Sequence, residues 1–228
     1  MGMSEADVVI DQDETKRTTQ AGPELTYDEA EQTALLARTL DRLGNRAGLP
    51  PLMPEGPWHP GIDTEIANVS LIWLSAERAD GVPSAAAYLA ALHLWNDNLS
   101  AAHEIVQSAE TPTAMLLHGI VHRREGDYDN ARYWFRQAGN HPAYHGLQVR
   151  VAAYLKSSRP VGGAVGDALE QMGAQGSWNP YLFVSAAAML EYRTEEREAR
   201  ARLEYVQQLE LEAAIRFLEG NLGALRDE

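Results

Sequence analysis

The feature that most constrains this chain is a repeated helical pattern in its middle. Residues 84–110 and 113–139 look like two copies of one unit, each with the spacing of two helices joined by a tight turn. Small residues recur after an interval of 29 residues, as Ala102 and Ala109 in the first copy and Ala131 and Ala138 in the second. Helical hairpins that bury their faces against neighbouring hairpins form an α-solenoid. We therefore expect stacked helical hairpins.

The rest of the chain also has helical periodicity, and no segment has the alternation of a strand. We predict an all-α protein of about eight or nine helices, arranged as an irregular α-solenoid, with a single helical domain over residues 24–228. The apolar residues of the last helix form one stripe: Leu203, Val206, Leu209, Ile215 and Leu218. One alternative is an oligomerisation domain that forms a homodimer through this helix.

A proline-rich loop at 49–62 interrupts the helical pattern. Five prolines lie between residues 50 and 60, and each lacks a backbone donor and fixes φ. We expect an extended, ordered loop anchored on the core by Leu52, Met53 and Trp58; the alternative is a mobile linker.

Charge and composition exclude several classes of protein. The net charge of −14 argues against binding to nucleic acid, which requires Lys and Arg against phosphates. Residues 1–31 hold nine acidic and two basic residues, and we predict that 1–23 are a disordered acidic tail. The absence of cysteine excludes disulfides and thiolate chemistry. Without a secretory signal or a long apolar run, we expect a cytoplasmic protein with no membrane partner.

The segment from Met115 to Pro142 resembles a tetratricopeptide repeat. The residues that match the pattern of that family are Gly119, Gly126-Asp127-Tyr128, Ala131, Phe135 and Ala138. His118 and His122 stand where the family has Leu and Tyr, and Met115 replaces its Trp. The resemblance implies tetratricopeptide-like hairpins that act as a binding or interaction module.

A second resemblance concerns a longer block of sequence and implies no mechanism. The run "HRREGDYDNARYWFR", preceded by the segment Asn96 to Gln107, is similar to a block in an uncharacterised bacterial all-α family. This resemblance implies a shared helical domain without a known activity.

Six of the seven histidines lie between residues 93 and 145. His118 and His122 are four residues apart and share one helix face, His103 lies on the preceding helix, and His141 could fold back toward them. Two His with a third His or a carboxylate, such as Asp97 or Glu104, could bind zinc. The pair lacks the glutamate of the zinc-protease helix motif. The alternatives are histidines hydrogen-bonded within a core, or a metal-free polar pocket.

Arg123 and Arg124 form the second candidate group. The repeat register predicts that they face a ligand groove, where guanidinium groups suit a carboxylate or phosphate. The alternative is pairing with the nearby acids Glu125, Asp127 and Asp129. Trp134 could line a pocket beside them.

These observations lead to two functional hypotheses. The first is a helical-repeat module that recognises a peptide, a protein or a small acidic ligand without a cofactor. Its candidate ligand-binding residues are His103, His118, His122, Arg123, Arg124, Asp127, Trp134 and His141. The alternative is a metal-assisted hydrolase, or another enzyme, that uses His103, His118 and His122. The sequence has no nucleophile elbow and no phosphate-binding loop that would name a reaction.

Overall fold

The computed structural model describes residues 28–76, 81–191, 193 and 196–223. The predicted acidic tail at 1–23 lies outside the described residues. Within the described ranges the chain is all-α, with no strand and one short 3-10 turn at Pro142–Tyr144. The helices are α1 Glu29–Gly44, α2 Pro60–Ala67, α3 Leu71–Ser75, α4 Gly81–Trp95, α5 Leu99–Val106, α6 Pro112–Glu125, α7 Tyr128–Ala138, α8 Leu147–Ser157, α9 Gly163–Gly173, α10 Pro180–Leu190 and α11 Arg197–Leu222.

The described residues contain eleven α-helices, so the predicted eight or nine is too few. One reason is the segment after the proline-rich loop, which forms two short helices. Asn68 ends α2, and the Ser70 side chain accepts a hydrogen bond from Trp73 N to begin α3. A side chain that satisfies a free backbone N–H in this way starts a new helix at that point.

The proline-rich loop packs on the core through the Leu52 side chain and through backbone hydrogen bonds. Leu52 is buried, and Trp58 N donates to Asn96 O at 2.7 Å. Gln207 Nε2 on α11 donates to the carbonyls of Pro50 at 3.1 Å and Pro51 at 2.8 Å. The loop ends at residue 59 instead of the predicted 62, because Pro60 takes the first position of α2, where a missing N–H costs nothing.

α4 lies at the centre of the packing. Its buried face is rich in Ala and Leu, and it contacts α3, α5, α6 and α11. α11 packs against α4, α8 and α10, and buries most of its apolar stripe: Leu203, Val206, Leu209 and Leu218. Four of the five residues of the stripe are therefore buried within the chain itself.

Two consecutive helical hairpins, α4–α5 and α6–α7, position the candidate site. The turn between α6 and α7 needs Gly126, which has a φ of 83°, a conformation that glycine adopts without steric cost. Asp127 then caps α7 by accepting a hydrogen bond from Asn130 N. No helix of the described residues is both long and apolar enough to cross a membrane.

Candidate functional site

The site is a cluster of three imidazoles, from His103 on α5 and from His118 and His122 on α6. The two α6 residues are one helical turn apart, so their rings stack with centroids 4.7 Å apart. α5 packs against α6 and brings His103 within 4.7 Å of the His118 ring centroid and 4.9 Å of that of His122. His118 and His122 are buried, and His103 is partly exposed. The seam between these helices is therefore polar.

The three histidines bring ring nitrogens close together. His118 Nε2 lies 2.9 Å from His103 Nε2. One nitrogen can be chosen on each of the three rings so that all three lie within 4.8 Å of one another. Such convergence of lone-pair donors is what a transition-metal site requires.

Glu125, at the end of α6, lies on the other side of two of these rings. Its Oε2 is 3.0 Å from His122 Nδ1, without the alignment of a hydrogen bond, and its Oε1 is 3.4 Å from His103 Nδ1. A carboxylate beside Nδ1 favours a proton on that nitrogen and leaves a lone pair on Nε2. Sequence reasoning missed Glu125 as a site residue, although its spacing of three from His122 was a usable signal.

The tautomers of the cluster follow from these neighbours. The side-chain amide of Asn130 lies 3.1 Å from His122 Nε2 and can donate to it, which agrees with a proton on His122 Nδ1. If His103 is also protonated on Nδ1, its Nε2 accepts from His118 Nε2–H. His118 Nδ1 is then left buried, and it has no hydrogen-bond partner. An orphaned buried polar atom of this kind costs about 1–3 kcal/mol.

Trp134 on α7 covers the cluster from one side. Its ring stacks on His118 with the centroids 4.0 Å apart and the planes 19° from parallel. Sequence analysis named Trp134 as a candidate pocket residue, and the structure places it against the imidazoles. Its indole excludes water from the ring face that it covers.

Burial keeps the two α6 imidazoles neutral. It is the main reason that the pKa of His118 is lowered to about 4, followed by the neighbouring His122 and His103. Burial also lowers the pKa of His122, while the adjacent Glu125 opposes that shift. Neutral rings are the form that binds a metal ion.

The carboxylates predicted as possible zinc ligands, Glu104 and Asp97, are not among the residues whose ligand atoms converge. Glu104 is exposed, and Asp97 is paired with Arg46 and Arg124. Asp127 Oδ2 reaches only 4.0 Å from His122 Nδ1, because its other oxygen caps α7.

The expectation that His141 folds back toward the imidazoles is wrong. Its Nε2 lies 3.0 Å from Thr113 Oγ1, and its Nδ1 accepts from Ala143 N to cap the 3-10 turn. The ring packs edge-on against Phe217 of α11. The path of the chain after α7 thus carries His141 to another part of the core.

The prediction that Arg123 and Arg124 face a ligand groove is also wrong, and neither of them pairs with the nearby acids. Both are buried in the core, with 2% and 1% of their surface exposed. Arg123 Nη2 lies 2.6 Å from Glu210 Oε2, and its guanidinium carbon lies 3.9 Å from the ring centroid of Phe183. Burying a guanidinium without a counter-charge is costly, so both side chains meet acids that lie far away in the sequence.

Arg124 belongs to a buried clamp around the turn between α4 and α5. It donates to Asp97 Oδ1 at 2.5 Å, to Leu94 O at 2.6 Å and to Pro51 O at 3.1 Å. Arg46 binds the second oxygen of Asp97 at 2.5 Å. Asp97 has a φ of 64°, an unfavourable backbone conformation that this clamp offsets.

Comparison with known proteins gives no match among family models, curated proteins or solved structures. The resemblances to the tetratricopeptide repeat and to a bacterial family therefore stay predictions based on the residues themselves.

Proposed function

We propose that this protein binds one divalent transition-metal ion, with zinc the first choice, through His103, His118 and His122. The observation that supports this proposal most strongly is the convergence of three ring nitrogens within 4.8 Å. In a tetrahedral site with Zn–N bonds of about 2.0–2.1 Å, the ligand nitrogens are about 3.3 Å apart. Metal binding would therefore require the rings to rotate until their nitrogens reach this closer spacing.

The chemistry of the ligands favours a metal that prefers imidazole. The chain has no cysteine, so thiolate sites are excluded, and a set of three His suits zinc, copper, nickel or iron. With their protons on Nδ1, His103 and His122 would each offer the lone pair of Nε2 to the metal. The metal would then take the place of His118 N–H at His103 and of the Asn130 amide at His122. Only His118 has to move its proton from Nε2 to Nδ1.

Glu125 would orient the rings rather than bind the metal. Its two oxygens lie beside Nδ1 of His103 and Nδ1 of His122, the arrangement by which a carboxylate fixes a metal-bound imidazole. Three protein ligands leave a fourth position for water. This arrangement would suit the metal-assisted hydrolase of the second hypothesis, to which we assign no substrate.

Recognition of a peptide or small acidic ligand by tetratricopeptide-like hairpins is the second candidate. One contact favours the hairpin register: a Cβ on Gly119 would lie 2.8 Å from Phe135 Cδ1, so the two helices approach as a glycine permits. Arg123 and Arg124 are buried and cannot contact such a ligand. An acidic ligand would need cationic groups elsewhere on the protein.

Metal titration of the purified protein tests the first proposal. We expect zinc to bind in a one-to-one ratio by calorimetry, and the double variant His118→Ala/His122→Ala to lose this binding. His145→Ala removes an exposed histidine outside the cluster and should bind normally. Circular dichroism of each variant checks that the helices are intact.

The variant Glu125→Gln tests whether Glu125 orients the histidine rings or binds the metal itself. A lost orienting carboxylate costs about 10–100-fold in metal affinity, whereas Glu104→Gln, on the exposed face of α5, should change nothing. The proposal is overturned if the protein binds no zinc, or if the double histidine variant binds it as well as the parent protein does.

A further inference from the structure

A cavity of about 440 Å³ lies between α8, α9 and the first half of α11, away from the histidine cluster. Its volume is within the range of about 300–1,000 Å³ that is typical of small-molecule sites. Most of its wall is apolar and includes Ala152, Leu155, Val161, Leu169 and Gly173. Such a wall suits a ligand with an apolar body.

Glycine on α9 helps to keep this space open. A Cβ built on Gly173 would lie 3.6 Å from Leu155 Cβ, an ordinary contact distance, with no other heavy atom outside Leu155 closer than 4 Å. A long side chain at this position would therefore extend into the cavity without a backbone clash. This makes residue 173 a place where the site can be blocked on purpose.

The charged groups of the cavity are mostly cationic. Lys156, Arg159 and Arg202 line it together with a single acid, Glu170. None of these cations forms an ion pair or a hydrogen bond within the described residues, and Arg202 Nε is buried without a partner.

Unpaired cations are unusual in this chain, which has 33 acidic and 19 basic residues. Most described Arg side chains bind a carboxylate, as Arg42 and Arg150 do. In the described part of the chain, the cationic side chains with neither an ion pair nor a hydrogen bond are Arg136, Lys156, Arg159, Arg197 and Arg202. Three of these five cations line one cavity, where their charge favours an anionic ligand.

We propose that this cavity binds a small amphipathic anion, a molecule with an apolar chain and one carboxylate. The apolar chain lies against α8 and α9, and the carboxylate meets Lys156, Arg159 and Arg202. This site is independent of the metal proposal. Its three cations could bind an acidic ligand, whereas Arg123 and Arg124 are buried and cannot.

Calorimetry with octanoate, butyrate and octanol tests both halves of the recognition. We expect octanoate to bind in a one-to-one ratio and more tightly than butyrate, since each buried CH₂ adds about fourfold to affinity at most. Octanol has the same chain without the charge and should bind at least tenfold more weakly. Raising the salt concentration should weaken binding of octanoate more than that of octanol.

Matched variants locate the site. Lys156→Gln/Arg159→Gln, at two exposed positions, should lower octanoate affinity at least tenfold, and Gly173→Leu should abolish binding. Arg136→Gln removes an unpaired arginine outside the cavity and should have no effect. Thermal unfolding without ligand shows whether each variant is folded.

Three results would overturn this proposal. They are no octanoate binding at millimolar concentration, equal affinity for octanoate and octanol, and unchanged affinity in both the Lys156→Gln/Arg159→Gln variant and a folded Gly173→Leu variant.

Discussion

At the scale of single residues, the defining feature is a set of polar groups buried where a helical hairpin normally packs apolar ones. Two imidazoles and two guanidinium groups from one helix, α6, lie in the interior. Each needs a partner because a buried polar group without one destabilises the fold. Each arginine lies against a carboxylate, although no nitrogen of Arg123 makes an aligned hydrogen bond, and Nδ1 of His118 and Nδ1 of His122 have no hydrogen-bond partner.

The pH dependence of stability reports the burial of His118. Its pKa is lowered from 6.5 to about 4, so between these values the unfolded chain binds a proton that the folded chain does not. The free energy of unfolding should therefore fall as pH decreases through this window, by about 3 kcal/mol from this residue, and the effect should level off below about pH 4. Urea unfolding at several pH values should show a shallower dependence for His118→Gln. Parallel curves for the two proteins would contradict this assignment.

Arg124 is predicted to contribute more to stability than a surface ion pair does. It is buried against Asp97 at 2.5 Å, and burial lowers its pKa to about 10 against the opposing effect of Asp97. Arg124→Met removes one of two counter-charges of a buried carboxylate, and we expect a loss of about 3–5 kcal/mol in denaturant unfolding.

Arg132→Met is the matched control for Arg124→Met. Its partner Asp129 is fully exposed, so the loss should be under about 1 kcal/mol. Equal losses in the two variants would show that burial does not make the Arg124–Asp97 pair contribute more to stability than an exposed pair.

Sequence reasoning placed some of these residues and not others, for a physical reason. His118 and His122 share a helix face because they are four residues apart. His103 lies beside them because its helix, α5, directly precedes α6 in the sequence. The partners of Arg123 and Arg124 are Glu210 on α11 and Asp97 on the α4–α5 turn. No local pattern encodes such pairings, since they depend on how distant helices pack.

At the scale of elements, the contact between α6 and α7 sets the geometry of the site, because α6 holds two of the imidazoles and α7 holds Trp134. Gly119 and Phe135 lie where these two helices cross. A Cβ on Gly119 would lie 2.8 Å from both Cδ1 and Cε1 of Phe135, closer than carbon atoms pack.

Gly119→Ala is therefore expected to destabilise the protein by about 1–3 kcal/mol in denaturant unfolding, since the aromatic ring has to move. The penalty should shrink in a Phe135→Leu background, where a smaller side chain leaves room. Gly220→Ala on α11, with nothing within 4 Å of its Cβ, should instead raise stability by up to about 1 kcal/mol. A Gly119→Ala protein as stable as its parent would show that the helices can separate without cost.

Element boundaries followed local signals in most places. Asn179 caps the start of α10 with Pro180 at its first position, and Gly44 is the last residue of α1. The segment from Pro60 to Ser75 was harder, because two short helices and one longer helix have the same apolar spacing. Only the Ser70 cap distinguishes them.

At the scale of the whole molecule, the chain buries ion pairs in its core and has two candidate binding sites. One is the imidazole cluster between α5 and α6, which we propose binds a metal ion. The other is the cavity beside α9 lined by Lys156, Arg159 and Arg202, which we propose binds an amphipathic anion. The all-α class could be predicted from periodicity, and the imidazole cluster from the order and spacing of α5 and α6, which are consecutive helices. The cavity required coordinates, since Arg202 on α11 is far in the sequence from the lining residues of α8 and α9.

Anomalous diffraction at the zinc edge, on crystals grown with zinc, tests the central claim most directly. We predict one strong peak among the three rings, at about 2.0–2.1 Å from a nitrogen of His103, of His118 and of His122. A fully zinc-equilibrated crystal with no peak there, or with zinc only at exposed carboxylates, would contradict the account.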